Sequence, residues 1–120
     1  MAVRALRGAI QVDRDAREEI LEATTDLLGE VLRRNDVSTD DLISVVFTAT
    51  PDLRSEFPAY AARQMGITEV PLLCATEIDV PGAMPRVLRL LAHIETGRPR
   101  SELRHVYLRG AASLRTDLPT

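Results

Sequence analysis

The stretch VPLLCATEIDVPGAMPRVLRLLAHI, Val70 to Ile94, decides how the chain is read. Val70 to Ile78 is apolar and β-leaning, and it ends by presenting Cys74, Glu77 and Asp79. Pro81-Gly82 breaks the run. From Pro85 to Thr96-Gly97 the spacing predicts a second long helix. Val87, Leu88, Leu91 and Ile94 would form its buried stripe, while Arg86, Arg89 and His93, at i, i+3 and i+7, would share another face. A strand delivering an acid and a helix delivering arginines would place opposite charges at one strand-to-helix corner. Such corners are common places for small-molecule sites.

On the N-terminal side, Val3 to Val12 alternates, with Leu6, Ile10 and Val12 on one face and Ala5, Arg7, Ala9 and Gln11 on the other. Arg7 falls on the face less suited to a core, and a solvated arginine is its plainer reading. Asp15 and Glu18 read as a capping box opening a helix to about Arg34, in which Ile20, Ala23, Leu27 and Val31 repeat at helical spacing. Asn35-Asp36 breaks that helix, and Ser38 to Asp41 starts a turn. Ile43 to Thr50 (ISVVFTAT) reads as a central strand ended by Pro51-Asp52. Pro58 suits the first turn of a short helix carrying Tyr60 and Arg63, with Gly66 as its C-cap. Beyond Ile94, the loop Arg98 to Ser101 leads to a last strand expected over His105 to Leu114, with His105, Tyr107 and Arg109 on one side. The order predicts an α+β domain spanning 1–120: a mixed sheet of four or five strands with two main helices on one face. The uncovered face, holding Arg7 and Tyr107, is most simply buried against other subunits.

Composition narrows the chemistry. Eighteen acids against 15 bases give a net charge of −3, which argues against a nucleic-acid partner. No run of about 18 apolar residues is present to span a membrane, and no apolar signal segment opens the chain, so a cytoplasmic protein is expected. Cys74 is the one cysteine, so no internal disulfide forms. All 15 bases are arginine, which excludes Schiff-base chemistry and a lysine base. Arginine does grip planar carboxylates in a fork, but an all-arginine chain also reflects genome composition or habitat.

His93, His105 and Cys74 are too scattered for a metal site, and no Gly-rich phosphate loop occurs. Cys74 and His105 are conceivable as a nucleophilic pair, although a lone cysteine in an apolar strand is usually a small buried hydrophobe. Glu77 and Asp79 share one side of their strand, and ordinary strand-end charge is the plainer reading. What remains is arginines, one glutamate and a tyrosine, a set suited to a small dicarboxylate. Residue chemistry alone leads to a small-anion binder, with a subunit interface as one place for its site.

Four stretches together resemble a known family: RALRGAIQVDRD (Arg4–Asp15), FTATPDLRSEFPAYAAR (Phe47–Arg63), VPLLCATEIDVPGAMPRVLRLL (Val70–Leu91) and RHVYLRGAASLRTDL (Arg104–Leu118). They are similar, in the same order and over nearly the whole chain, to the monofunctional chorismate mutases of the trimeric AroH type. The resemblance implies a homotrimeric pseudo-α/β-barrel with active sites at the subunit interfaces. It also implies the pericyclic rearrangement of chorismate to prephenate without metal or cofactor. By matching position, Arg89 would donate to the substrate's ether oxygen. Arg7, assisted by Tyr107, would hold a carboxylate. Glu77, helped by Cys74 or its backbone, would accept from the ring hydroxyl. Phe57, Ala59, Arg63 and Leu73 would wall the site, from the adjacent subunit, and Leu114 and Arg115 would form a C-terminal wall or gate. Leu73 stands where the family pattern has threonine, and Tyr60 where it has lysine. The other reading is a non-catalytic trimeric protein that binds small carboxylates, since one fold hosts many functions. Arg89 discriminates the two, because only the enzyme needs a cation on the ether oxygen.

Overall fold

A computed structural model describes residues 1–114. Five strands form one mixed sheet in the order β3-β2-β4-β1-β5. They are β1 (Ala2–Gln11), β2 (Leu42–Ala49), β3 (Leu72–Thr76), β4 (Val87–Thr96) and β5 (Val106–Leu108). β4 runs antiparallel to β1 and β2, whereas β3 lies parallel to β2 and β5 parallel to β1. The helices α1 (Arg17–Arg34) and α2 (Pro58–Gln64) cover one face, as the alternation in β1 required. Leu6 and Ile10 meet Phe47, Leu90 and Ile94 there, beneath Ile20, Leu27, Leu28 and Val31 of α1. Gly8 lets α1 approach: a Cβ at that position would stand 3.0 Å from the Leu27 side chain and 3.2 Å from that of Val31.

The expected helix over 85–97 is a strand. Leu88, Leu90, Ala92 and Ile94 are buried on the helix side while Arg89, Leu91 and His93, half-buried, face the other way. Leucine and alanine favour helices in isolation. Here, ten residues pairing with β1 on one side and a bulged run pairing with β2 on the other override that preference. Arg86 therefore precedes β4 and shares no helical face with Arg89 and His93.

Three smaller expectations also change. Asp15 does not cap α1, whose N-cap is Ala16 with no side-chain hydrogen bond; instead its Oδ1 accepts the backbone N–H groups of Arg54 (2.9 Å) and Ser55 (3.0 Å). The strand expected over 105–114 ends at Leu108. Arg109 adopts φ +55°, opens a 3-10 turn to Ser113 and pairs with Asp26 of α1 at 3.5 Å, so it leaves the row of Tyr107. β3 ends at Thr76, which puts Glu77 and Asp79 in the following loop.

Other punctuation is as expected. Pro58 opens α2, Gly66 takes φ +90° after it, and the turn at Thr39–Asp41 carries a capping box from Ser38. Asn35, at the C-terminus of α1, is more than a breaker. Its buried amide donates to the carbonyls of Val31 and Arg104, both at 2.8 Å, and accepts the Arg104 N–H at 2.7 Å.

Candidate functional site

On the face without helices, strand register sets Ala75, Thr48, Arg89, Ala9 and Tyr107 in one line across the sheet. Arg89 lies near the middle of that line because β4 is the central strand. Its Nε donates to both Glu77 oxygens, at 3.2 and 3.1 Å. The Thr48 hydroxyl donates to Glu77 Oε2 at 2.6 Å, and the Glu77 N–H bonds the Ala49 carbonyl at 2.9 Å. The carboxylate is thus fixed from two sides and at its backbone.

The terminal guanidinium nitrogens of Arg89 make no hydrogen bond among the described residues. They are spare donors on a side chain only 30% exposed. Ala9, between Arg89 and Tyr107, is buried in a small apolar cluster with Val87 and Ala111, against which Met84, Tyr107 and Leu114 pack. The Tyr107 hydroxyl is buried with no hydrogen-bond partner among the described residues, which is costly unless a ligand or neighbour supplies one. Arg7 lies opposite Leu91, diagonal to Arg89 on the same face and about 7–8 Å away by sheet geometry. Its backbone N–H donates to His105 Nδ1 at 2.9 Å, and its guanidinium makes no ion pair among the described residues. Two arginines, a carboxylate and a phenol therefore share one partly dry surface.

The other expected site residues lie elsewhere. Cys74 sits opposite Phe47 on the helix side, facing away from Arg89. With Phe57, Ala59, Tyr60, Arg63, Leu72 and Leu73 it lines a groove of about 470 Å³ between α2 and β3. Phe57 projects at 70% exposure, whereas Ala59 is largely part of the core. Tyr60 is held beneath Arg17, whose guanidinium carbon is 5.5 Å from the ring centre. The neighbouring Glu56 accepts the Phe57 N–H and the Arg17 Nε. Those bonds, the Phe57 one foremost, hold its carboxyl below the ordinary value.

A second groove, of about 390 Å³, runs past Phe57, Cys74 and Thr48 at the ends of β2 and β3. Leu114 packs with Tyr107, Ala9 and Val87, and Arg115 lies outside the described residues. Cys74 and His105 fall at opposite edges of the sheet, four strand spacings or about 19 Å apart, so they form no nucleophilic pair. Thr48 was not singled out from the sequence. The alternation of ISVVFTAT sets it on the opposite face from Phe47, but only the fold brings Glu77 to it.

The chain matches the family described as chorismate mutase type I over residues 3–118. It is 52% identical over 117 residues to the chorismate mutase AroH of Thermus thermophilus, covering 97% of this chain and 96% of that one. It is 40% identical over 119 residues to the chorismate mutase AroH of Bacillus subtilis (strain 168), with coverage of 98% and 94%. Among solved structures, a chorismate mutase from Clostridium thermocellum superposes with a TM-score of 0.89 at 44% identity, covering 90% of this chain and 96% of that one.

Proposed function

The chain belongs to the chorismate mutase type I family, and we propose that it performs that family's reaction at the open sheet face, around Arg89 and Glu77. It is an isomerase of aromatic amino acid biosynthesis that converts chorismate to prephenate. One C–O bond breaks as one C–C bond forms within a single molecule. No proton has to move and no covalent intermediate forms. The protein's task is to hold a compact conformer and to stabilise negative charge growing on the ether oxygen.

The observation that carries the assignment is the state of Arg89: pinned through Nε by Glu77, with its terminal donors unspent among the described residues. A cation fixed before the reaction stabilises developing charge without reorganising during it. Arg7 and the Tyr107 hydroxyl hold a substrate carboxylate. Glu77 keeps Arg89 in place and accepts from the ring hydroxyl. Cys74 turns its thiol to the α2 groove, which leaves its backbone as the part able to serve the Glu77 side.

The active assembly in this reading is a homotrimer. Its support is the division of candidate residues between two faces of the sheet, together with apolar Val46, Leu91, Leu73 and Ala75 on the uncovered one. Phe57, Arg63 and Leu73 of an adjacent subunit wall the site, and Leu114 closes it near Tyr107. No helix among the described residues is long and apolar enough to cross a membrane. We place the enzyme in the cytoplasm, in keeping with its single free cysteine.

The test is loss of chorismate's diene absorbance, with prephenate confirmed by acid conversion to phenylpyruvate. Arg89→Ala should cost about 3–4 kcal/mol of transition-state stabilisation, by analogy with a lost oxyanion donor. A neutral citrulline at 89 should fail similarly, because charge rather than shape is required. Near-normal turnover in either variant overturns the role.

A further inference from the structure

Arg89 and Glu77 approach one another from different parts of the chain, and both are hung on the same tetrapeptide, residues 49–52. Glu77 is held by its backbone N–H on the Ala49 carbonyl. The start of β4, two residues before Arg89, is held by Thr50: its N–H bonds the Val87 carbonyl, and its hydroxyl accepts the Val87 N–H, each at 3.0 Å. The Thr50 hydroxyl in turn donates to Asp52 Oδ1. Asp52 also receives the Arg86 N–H, at 3.0 Å to Oδ2 and 3.3 Å to Oδ1.

Arg86 has φ +53°, a left-handed conformation that a side chain disfavours. It is the corner at which the loop turns into β4. Its carbonyl accepts the Val12 N–H at 2.8 Å and its Nε donates to the Val12 carbonyl at 2.9 Å, fixing the corner to the end of β1. Asp52 supplies the remaining restraint, on the corner's own N–H.

From this geometry we infer that Asp52 is a positioning residue for Arg89, acting through Thr50 and the left-handed corner at Arg86. Asp52 lines neither groove beside Phe57, and its carboxylate is taken up by the corner. The inference rests on the assignment of Arg89 to the ether oxygen. A rise in activation barrier follows if the corner relaxes and β4 starts in a shifted register or tilt, because small misplacements of a fixed cation are costly.

The experiment is a double-mutant cycle on kcat and KM with chorismate, alongside circular dichroism and molecular mass to confirm folded assemblies. Turnover of the wild-type protein and of Arg89→Ala tests the assignment itself, so its failure is separable. Asp52→Ala should lower kcat about 10-fold with KM within about twofold, because Arg7 and Tyr107 still hold the substrate carboxylate. Glycine takes the left-handed corner without strain. In an Arg86→Gly background the same Asp52→Ala change should therefore cost less than about threefold. Thr50→Val, which deletes the intermediate hydroxyl at constant shape, should follow Asp52→Ala in kcat and serves if Asp52→Ala does not fold. Full kcat in both Asp52→Ala and Thr50→Val overturns the proposal. So does an equal loss from Asp52→Ala in the two backgrounds, and so does a loss expressed in KM alone.

Discussion

Arg89 and Glu77 meet through one guanidinium nitrogen, Nε, which bridges both carboxylate oxygens at 3.1–3.2 Å. A fork-on-fork pair would have spent the terminal nitrogens as well. The side-on arrangement orients the cation while keeping its outer edge for something else. Thr48 makes this arrangement possible by anchoring the acid from the far side.

Thr48→Val removes the hydroxyl that fixes Glu77 and keeps the β-branched shape suited to β2. We expect kcat to fall about 10-fold, ~1.5 kcal/mol being the low end for a lost hydrogen bond to a charged group, with a smaller effect on thermal stability. Steady-state kinetics and a melting curve check both parts; wild-type kcat would remove Thr48 from the site.

If each site joins Arg89 of one chain to Arg63 of the next, two dead variants should complement one another. Arg89→Ala and Arg63→Ala, unfolded together and refolded at equal amounts, should regain about a quarter of wild-type activity, because random neighbours in a closed ring pair the two intact halves that often. No gain over the separate variants would place the whole site in one chain or make Arg63 peripheral.

Asn35 fastens the end of α1 to the segment before β5 by two hydrogen bonds with Arg104, and a third from the same buried amide returns to Val31 of α1. Asn35→Ala would strand the Arg104 N–H and carbonyl in a half-buried place. A loss of about 2–3 kcal/mol is expected, read by urea unfolding at a fixed protein concentration.

Asp15 carries a pH dependence. Its slight burial works to raise its pKa, but donors from the Arg54 and Ser55 backbone and the Ser55 side chain outweigh this, and the carboxyl sits below the ordinary 3.8. The tether to Arg54 and Ser55 is therefore at full strength above 3.8 and is lost as pH falls through the lowered value. Melting temperatures between pH 5 and pH 2.5 should fall less steeply for Asp15→Asn than for wild type; parallel curves would remove Asp15 from the acid limb.

Periodicity made α1, β1 and β2 legible, because Ile20-Ala23-Leu27-Val31 repeats as only a helix does and Leu6-Ile10-Val12 alternates as a strand does. β4 was not legible in the same way. Its run Val-Leu-Arg-Leu-Leu-Ala-His-Ile satisfies both periods, and what separates them is the pairing with β1 and β2, contacts made by residues some 40 to 90 positions away in the chain. The charged candidates could be picked from residue type and family resemblance. Their division between two faces could not, since it depends on the parity of Cys74 and Arg89 in strands of different register. Thr48 and Asp52 share that blindness: each matters through a partner distant in sequence.

The placement of Arg89 on β4 also sets a clock. Backbone amides exchange with solvent when local structure opens, and the central strand of a sheet opens last. Arg89 has Ala9 on one side and Thr48 on the other, so deuterium should reach β4 only on near-global unfolding. β3 is an edge strand, and the loop from Glu77 to Pro85 that follows it has few backbone tethers, so these should label early. In the proposed mechanism, the charge that meets the transition state would therefore ride on the part of the molecule expected to open last. The walls around Phe57 and Leu73 ride on faster parts, where changes in side-chain size are easier to absorb.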